Sequence, residues 1–171
     1  RKVLVVDADL RRPRIHEVFG ISNRQGLVSV LAQGVDPAGL IVQTEVPNVR
    51  AIPAGATPPN PSELLSSSMM EHFATHVASS YDYVLYDTPP VAAVTDAVIL
   101  GAMVDGVVYT VAAGTVTRES ALSGLERLQM SSVPVLGAVI NRFVAESNRY
   151  DAYYYYRATY GDESEPASEP A

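Results

Sequence analysis

Residues 3–13 read VLVVDADLRRP. The first four are apolar and mostly β-branched, which is typical of a short strand buried on both faces of a parallel sheet. The run stops at two aspartates, Asp7 and Asp9, and arginines follow them. In open parallel sheets, ligands bind beyond the carboxyl ends of the strands. This stretch therefore predicts a buried strand of an α/β fold that ends in a polar site.

Further apolar runs follow the same pattern. They cover residues 83–86, 106–111 and 135–140. The first of these ends at Asp87 and the last at Asn141. Residues 50–53 predict an additional short strand, which Pro53 either stops or confines to a sheet edge.

Helical segments separate the predicted strands. Asn60 is a candidate N-cap, with Pro61 in the first turn and Glu63 able to reach back to the cap. Behind it an apolar residue recurs at every fourth position, at Leu65, Met69, Phe73 and Val77. Further helices are predicted over residues 96–103 and 117–130, the second with Leu122, Leu125 and Leu128 on its inner face.

The alternation of strands and helices predicts parallel pairing through right-handed crossovers. The expected fold class is α/β, with an open, doubly wound and mostly parallel sheet. A chain of 171 residues that is 47% hydrophobic has enough apolar residues for one compact domain. The absence of cysteine excludes disulfides, thiolate metal sites and cysteine nucleophiles, and it fits an intracellular location. The net charge of -7 argues against non-specific nucleic-acid binding.

The character of the sequence changes after about Phe143. Residues 148–160 read NRYDAYYYYRATY, and residues 161–171 are acidic with two prolines. Such a composition buries little apolar surface, so we expect a domain over 1–143 and a flexible tail over 144–171. Because the chain begins on Arg1 directly before a strand, we also expect it to be part of a longer protein.

The aspartates at the strand ends are the main candidates for chemistry. Carboxylates that converge at one sheet edge repel each other unless a cation joins them, and nucleotide-bound Mg²⁺ is the obvious candidate. Asp87 alone fits a turn or helix cap equally well. Asp7 and Asp9 next to several arginines have no evident packing purpose. Asp96, by contrast, is predicted to be a helix N-cap supported by Thr95.

These segments resemble those of a known family. Residues 3–13 are similar to the Walker A′ motif of bacterial tyrosine kinases, the cytoplasmic kinases of capsule and exopolysaccharide export, and residues 84–90 (VLYDTPP) resemble their Walker B motif. Residues 53–65 and 94–97 fit the family as well. The tail matches the family's tyrosine cluster with Tyr150, Tyr153, Tyr154, Tyr155, Tyr156 and Tyr160. The resemblance covers essentially the whole chain and implies a P-loop NTPase-like fold.

The resemblance also implies an activity, the transfer of the ATP γ-phosphoryl group to tyrosines in the tail of a neighbouring subunit. Asp7 and Asp9 are then the expected catalytic residues, and Asp7 helps to take the proton from the tyrosine hydroxyl. Asp9 and Asp87 would hold water around Mg²⁺. Asn141 matches a position that contacts adenine, although a plain turn residue fits equally well. Arg11, with Arg12 and Arg14, would steer phosphates or contact a neighbouring subunit, and a solvated basic loop is the alternative.

The chain departs from the family in one respect, because it contains no Gly-x-x-x-x-Gly-Lys-[Ser/Thr] sequence. That Walker A loop holds the phosphates and would precede Val3 in a complete domain. We therefore expect the chain alone to bind ATP poorly and the activity to belong to the full-length protein. The resemblance also implies a homo-oligomer that is cytoplasmic and membrane-associated through a transmembrane adaptor, fused upstream or on a separate chain.

Two other functions remain open. The first is a MinD/ParA-like positioning ATPase, whose Walker A′ and B motifs look similar but whose membrane-targeting forms should end in a basic amphipathic helix. The second is a non-catalytic interaction module with a degenerate nucleotide-binding fold. The histidines, at positions 16, 72 and 76, form no convincing metal site and are expected at the surface.

Overall fold

The computed structural model describes residues 1–143. The tyrosine-rich and acidic segment at 144–171 lies outside the described residues, together with all the predicted phosphoacceptor tyrosines. The predicted boundary near Phe143 therefore stays a prediction.

The described strands form a four-stranded and a two-stranded sheet. They are β1 (Val3–Asp7), β2 (Val42–Gln43), β3 (Val49–Ile52), β4 (Tyr83–Asp87), β5 (Val107–Ala112) and β6 (Val135–Asn141). The larger sheet has the order β2-β3-β1-β4, with β1 parallel to both of its neighbours and β2 antiparallel to β3. Strands β5 and β6 pair in parallel. The predicted parallel α/β architecture is confirmed, and Pro53 stops β3 without placing it at an edge.

The sheet is not continuous over the described residues, which differs from the single sheet expected. Within residues 1–143, β4 pairs only with β1 and β5 pairs only with β6. Apolar side chains along this break remain open to solvent, with Leu85 56% and Val108 58% exposed. A cavity of about 490 Å³ lies between β4 and β5 and is lined by residues of both strands. A further strand could pair with β4 and β5 at this break.

The helices pack around these sheets. They are α1 (Ile15–Val18), α2 (Leu27–Gln33), α3 (Pro61–Leu65), α4 (Ser68–Ala78), α5 (Asp96–Gly101) and α6 (Arg118–Met130), and a 3₁₀ turn covers Pro37–Gly39. The sequence patterns did not predict α1 and α2. No helix in the described part of the chain is long and apolar enough to span a membrane.

The long helix expected behind Asn60 is two helices, because Ser67 interrupts it. The Ser67 hydroxyl accepts a hydrogen bond from the amide of Met70 and caps α4. The new helix has a different phase, so that Met70 is fully buried while Met69 is 38% exposed. Asn60 occupies the N-cap position of α3 without a capping bond, since its side-chain amide donates to Glu63 at 2.7 Å.

Helix α6 begins as predicted but presents a different inner face. Thr117 caps it by accepting a hydrogen bond from the amide of Ser120. Leu128 is 1% exposed, whereas Leu122 is 44% exposed. Three residues advance a helix by about 300°, so leucines spaced by three drift around it. Gly124 is buried instead, and Tyr109 of β5 packs against it.

The main core lies between the larger sheet and helices α2 to α5. Its fully buried apolar side chains include Leu4, Val6, Leu10, Leu27, Ile52, Leu65 and Met70. The alternation within β1 sends Leu4 and Val6 into this core. Because Leu4 and Val6 fix β1 in the core, Asp7 at the end of the strand has a fixed position at the carboxyl edge of the sheet.

Candidate active site

The predicted aspartates meet at the carboxyl edge of β1 and β4. Asp7 and Asp87 are paired in register across the two strands, and the amide of Ala8 donates to the main-chain oxygen of Asp87 at 2.9 Å. Asp9 follows two residues after the end of β1. The structure therefore brings Asp7, Asp9 and Asp87 together, as the strand pattern predicted.

Asp7 is the most constrained of the three carboxylates. It is fully buried, and its Oδ2 accepts a hydrogen bond from the amide of Ile15, the first residue of α1, at 3.0 Å. Its Oδ1 is buried and has no hydrogen-bond partner among the described residues. Burial raises the pKa of Asp7 to about 6, and the charges of Asp87 and Asp9 add to this while the Ile15 bond opposes it.

Asp9 organises the loop that follows β1. Its Oδ1 accepts hydrogen bonds from the amides of Arg11 at 3.1 Å and Arg12 at 2.9 Å, an Asx-type turn. Asp87 opens to solvent on one side. Desolvation by the surrounding protein and then the charge of Asp9 raise the pKa of Asp87.

The arrangement fits a hard cation that also has other ligands. In residues 1–143, no three His, Asp or Glu side chains are grouped to enclose a metal ion. Asp9 and Asp87 would therefore hold Mg²⁺ together with water and phosphate oxygens, which is its usual coordination in nucleotide sites. The buried Oδ1 of Asp7 has no hydrogen-bond partner among the described residues, and a nearby cation or donor group would offset the cost of that unpaired carboxylate oxygen.

Asp96 was predicted to be an N-cap, and the structure corrects this. Thr95 holds the cap position, and Asp96 is the fully buried first residue of α5. Its carboxylate accepts hydrogen bonds from Arg11 Nε at 2.8 Å and Nη2 at 3.1 Å, and from Ser62 Oγ at 2.7 Å. Burial opposes ionisation, but the bonds from Arg11 and Ser62 outweigh it and lower the pKa of Asp96. An aspartate directly before the apolar run at residues 97–100 was the signal that could have predicted a buried partner.

The other candidate residues lie around this centre or away from it. Arg11 uses Nε and Nη2 on Asp96, so its predicted phosphate contact stays a prediction. Asn141 ends β6 in the smaller sheet, where its Oδ1 accepts from the amide of Arg142 at 2.8 Å, and its adenine contact also stays a prediction. His16 was expected at the surface, yet its Nδ1 is buried. His72 and His76 are exposed as predicted.

Comparisons with known proteins identify the family. No protein-family model matches the chain. The chain is 37% identical over 156 residues to the tyrosine-protein kinase YwqD of Bacillus subtilis, covering 91% of this chain and 65% of YwqD. It is 33% identical over 162 residues to the putative tyrosine-protein kinase CapB of Staphylococcus aureus, covering 95% of this chain and 69% of CapB. The chain belongs to the bacterial tyrosine-protein kinases. The resemblance inferred from residues 3–13 and 84–90 is thereby confirmed.

Solved structures confirm the fold of this bacterial tyrosine kinase chain. The kinase domain of the Escherichia coli tyrosine kinase ETK superposes with a TM-score of 0.79 at 34% identity, over 86% of this chain and 58% of that domain. The cell division ATPase MinD of Pyrococcus furiosus superposes with a TM-score of 0.63 at 22% identity, over 90% of this chain and 67% of MinD, which shows the shared P-loop-type fold alone.

The chain spans 65% of the length of YwqD and 58% of the ETK kinase domain. The matched part includes the strand ends that carry Asp7, Asp9 and Asp87. The roles of these three carboxylates in the full-length protein are proposed below.

Proposed function

We propose that the full-length protein is an ATP-dependent protein-tyrosine kinase that phosphorylates its own C-terminal tyrosines in trans. The observation that carries this proposal is Asp7, a fully buried carboxylate with a free oxygen, held beside Asp9 and Asp87 at the end of two parallel strands. Membership of the tyrosine kinase family supports it. The proposed pathway is the synthesis and export of capsular polysaccharide or exopolysaccharide, which the resemblance of residues 3–13 and 84–90 implies.

Each carboxylate has a distinct role in this proposal. The tyrosine oxygen bonds to the γ-phosphorus of ATP, the bond to the β-phosphate oxygen breaks, and the phenolic proton passes to Asp7. A pKa raised to about 6 makes Asp7 a better proton acceptor near neutral pH than an ordinary carboxylate. Asp9 and Asp87 would hold Mg²⁺ through its water ligands, and the bound ion would neutralise phosphate charge.

The break between β4 and β5 supports a phosphate-binding loop upstream in the natural protein. A strand inserted there would pair with both free edges and would end beside Asp87, which lines the cavity. A Walker A loop that follows such a strand would meet the three carboxylates. Without it the chain alone binds ATP poorly, because the backbone amides and the lysine that hold phosphates are missing.

The proposed acceptors are the clustered tyrosines of the tail. Interspersed with Arg149, Asp151 and Arg157, they lie in a polar sequence that is poor in core-forming residues. In this proposal, a tyrosine of the cluster reaches the active site of another subunit. The proposed partners are therefore ATP, further copies of the same chain and a transmembrane adaptor that keeps the cytoplasmic kinase at the membrane. Nucleic acid is not among them, given the net charge of -7.

A positioning ATPase is the second candidate, and the fold shared with MinD favours it. It would hydrolyse ATP at the same carboxylates without modifying the tail. A non-catalytic interaction module is the third candidate. It would require that the natural gene encode no Gly-Lys-[Ser/Thr] sequence upstream of the strand β1.

Phosphotyrosine mapping by mass spectrometry tests the proposal. The full-length protein is incubated with ATP and Mg²⁺, beside an Asp7→Asn variant and an Asp82→Asn control. Asp82 lies at the opposite end of β4, where it accepts from the amide of Lys2 at 2.6 Å. We expect modification of Tyr150 to Tyr160 in the wild type and the control, and its loss in Asp7→Asn.

A mixing experiment tests the transfer between subunits. The Asp7→Asn variant, which keeps its tyrosines, is incubated with a second variant that keeps Asp7 but has phenylalanine in place of the cluster tyrosines. Phosphate on the Asp7→Asn chain shows transfer in trans, and its absence limits transfer to one chain. ATP hydrolysis with an unmodified tail in both experiments would favour the positioning ATPase, and no turnover would favour the interaction module.

A further inference from the structure

Arg11, Asp96 and Ser62 form a hydrogen-bonded cluster that joins three separate segments, and we call it the Arg11 clamp. Arg11 lies in the loop after β1, Asp96 begins α5 and Ser62 lies in α3. Arg11 Nη2 also donates to Ser62 Oγ at 2.9 Å, which closes the cluster into a triangle. None of the roles proposed above uses Asp96 or Ser62.

We propose that Asp96 and Ser62 are positioning residues, which fix Arg11 and thereby hold the Asp9 turn in place beside Asp87. Arg11 is then an anchor of the metal-binding loop and not a ligand of the nucleotide. This inference rests on the proposed function, since it takes Asp9 as a residue that holds water around Mg²⁺.

The geometry of the clamp favours an anchor. Two guanidinium nitrogens of Arg11 meet both carboxylate oxygens of Asp96, which fixes direction as well as distance. Asp96 is fully buried in the closed pair, so breaking its ion pair with Arg11 is costly. To bind a phosphate through the same nitrogens, Arg11 would leave that carboxylate buried beside Ser62 alone.

Arg11 couples the clamp to Asp9 through its own backbone. Its amide donates to Asp9 Oδ1, while its side chain is held by Asp96. The loop is thus tied at one residue both to the candidate metal carboxylate and to α5. Because α5 follows the segment that leaves Asp87, the clamp links the two strand ends that would share the cation.

Ser62 adds a third attachment. Its hydroxyl donates to Asp96 Oδ1 and accepts from Arg11 Nη2, so it is bonded to both members of the ion pair. It stands in the first turn of α3, directly after Pro61. The position of α3 is therefore set by the same cluster that sets the Asp9 loop.

Asp96→Asn, Ser62→Ala and the control Asp82→Asn in the full-length protein test the inference. Asp96→Asn and Asp82→Asn are the same chemical change, and the control removes an acceptor far from the site. Hydrogen exchange at the amides of Arg11 and Arg12 reports whether the Asp9 turn is held. Calorimetric titration with Mg²⁺ and ADP reports whether the cation site is affected.

We expect amide exchange in the turn to rise about tenfold in Asp96→Asn, because local opening becomes easier. We expect the Mg²⁺ concentration for half-saturation with ADP to rise about 10-fold, the size typical of residues that support metal ligands. Ser62→Ala should shift both in the same direction and by less. The control should change neither.

The double variant Arg11→Gln/Asp96→Asn leaves no buried charge unpaired, and it tests the inference if Asp96→Asn fails to fold. If Arg11 anchors the loop, this double variant shows both faster exchange at the amides of residues 11 and 12 and weaker binding of Mg²⁺ and ADP. Weaker binding with unchanged amide exchange in the double variant overturns the inference. If Arg11 is a nucleotide ligand, Asp96→Asn frees it and binds as tightly as wild type or tighter, which overturns the inference. Unchanged amide exchange in Asp96→Asn overturns it as well.

The outcome is separable from that of the proposed kinase function. A wild-type protein that binds Mg²⁺ and ADP but modifies no tyrosine refutes the kinase proposal and leaves the clamp comparison valid. A wild-type protein that binds no Mg²⁺ and ADP overturns both proposals. Normal Mg²⁺ dependence in Asp96→Asn, even with faster exchange, also overturns the inference, because the clamp then has no effect on the cation site.

Discussion

Asp7 carries a charge that the folded protein does not readily accommodate. Its carboxylate is buried, has one hydrogen bond to the amide of Ile15 and lies near two other acids. Such a residue destabilises the folded domain, and carboxylates with a raised pKa of this kind concentrate at functional sites. The energetic argument thus agrees with the role proposed for Asp7 as proton acceptor.

The first prediction concerns the stability contributed by this residue. Because folding raises the pKa of Asp7 from 3.8 to about 6, ionisation costs the folded state about 3 kcal/mol. That cost is absent below pH 4 and is complete above pH 6. We expect Asp7→Asn to be more stable than wild type at pH 8 by about 2–3 kcal/mol and nearly equal at pH 4, as measured by urea unfolding.

Asp82→Asn is the matched control for that measurement. Asp82 is an exposed acceptor for the amide of Lys2 and lies near Arg1, so its replacement should bring no gain at pH 8. The same stability difference between Asp7→Asn and wild type at both pH values would contradict the assignment of the raised pKa to Asp7.

The sequence predicted the three strand-end acids but missed the clamp. Parallel strands end at one edge, so Asp7 and Asp87 had to meet once both runs were recognised as neighbours. The pairing of Arg11 with Asp96 depends on the docking of α5 against the loop after β1. No local pattern carries that information, and the N-cap interpretation of Asp96 followed from local propensity alone.

At the scale of elements, the segment after β3 packs closely against the start of α2 through backbone hydrogen bonds. The amide of Leu27 donates to the oxygen of Pro53 at 2.8 Å, and that of Val28 donates to Ala54 at 2.9 Å. The amide of Gly55 donates to Asn23 Oδ1 at 2.8 Å. Gly26 lies between these backbones, where a side chain has no room.

The second prediction follows from this close approach. A Cβ atom at Gly26 would overlap the carbonyl of Pro53, which is backbone and is fixed by the bond to Leu27. We expect Gly26→Ala to destabilise the protein by about 2–3 kcal/mol, seen as a lower midpoint in thermal unfolding. Gly39→Ala is the control, because nothing lies within 4 Å of a Cβ atom there. Equal midpoints for the two variants would show that the loop yields.

Element boundaries were the least predictable part of the fold. The spacing of Leu65, Met69, Phe73 and Val77 suggested one helix, and three of these four residues do face the core. The fourth does not, because Ser67 can cap as readily as it can continue a helix. Which of the two wins depends on how α3 and α4 pack, and a periodicity cannot show that.

At the scale of the whole molecule, the order of the strands shows which part of the sheet the sequence predicted and which part it did not. The sequence predicted the parallel pairing, since buried apolar runs alternated with helices. It did not predict that β4 and β5 would face each other across a cavity, because unpaired edges leave no local mark in a sequence. Asp87 lines this cavity, and the proposed upstream loop would lie beside it.

The last prediction concerns self-association of the full-length protein. Each phosphotyrosine adds about -1.5 to -2 charge, so modifying the cluster deepens a net charge that is already -7 in this chain. In the sequence, the added charge comes shortly before the acidic residues of the tail, which are Asp162, Glu163, Glu165 and Glu169. Repulsion between modified tails, and between a modified tail and the acids around Asp9 and Asp87, should weaken the oligomer.

We expect native mass spectrometry to show smaller assemblies after phosphorylation, and high salt to reduce the difference by screening. A variant with phenylalanine in place of the cluster tyrosines should keep its assembly size in ATP. Equal assembly sizes for modified and unmodified wild-type protein would contradict the prediction.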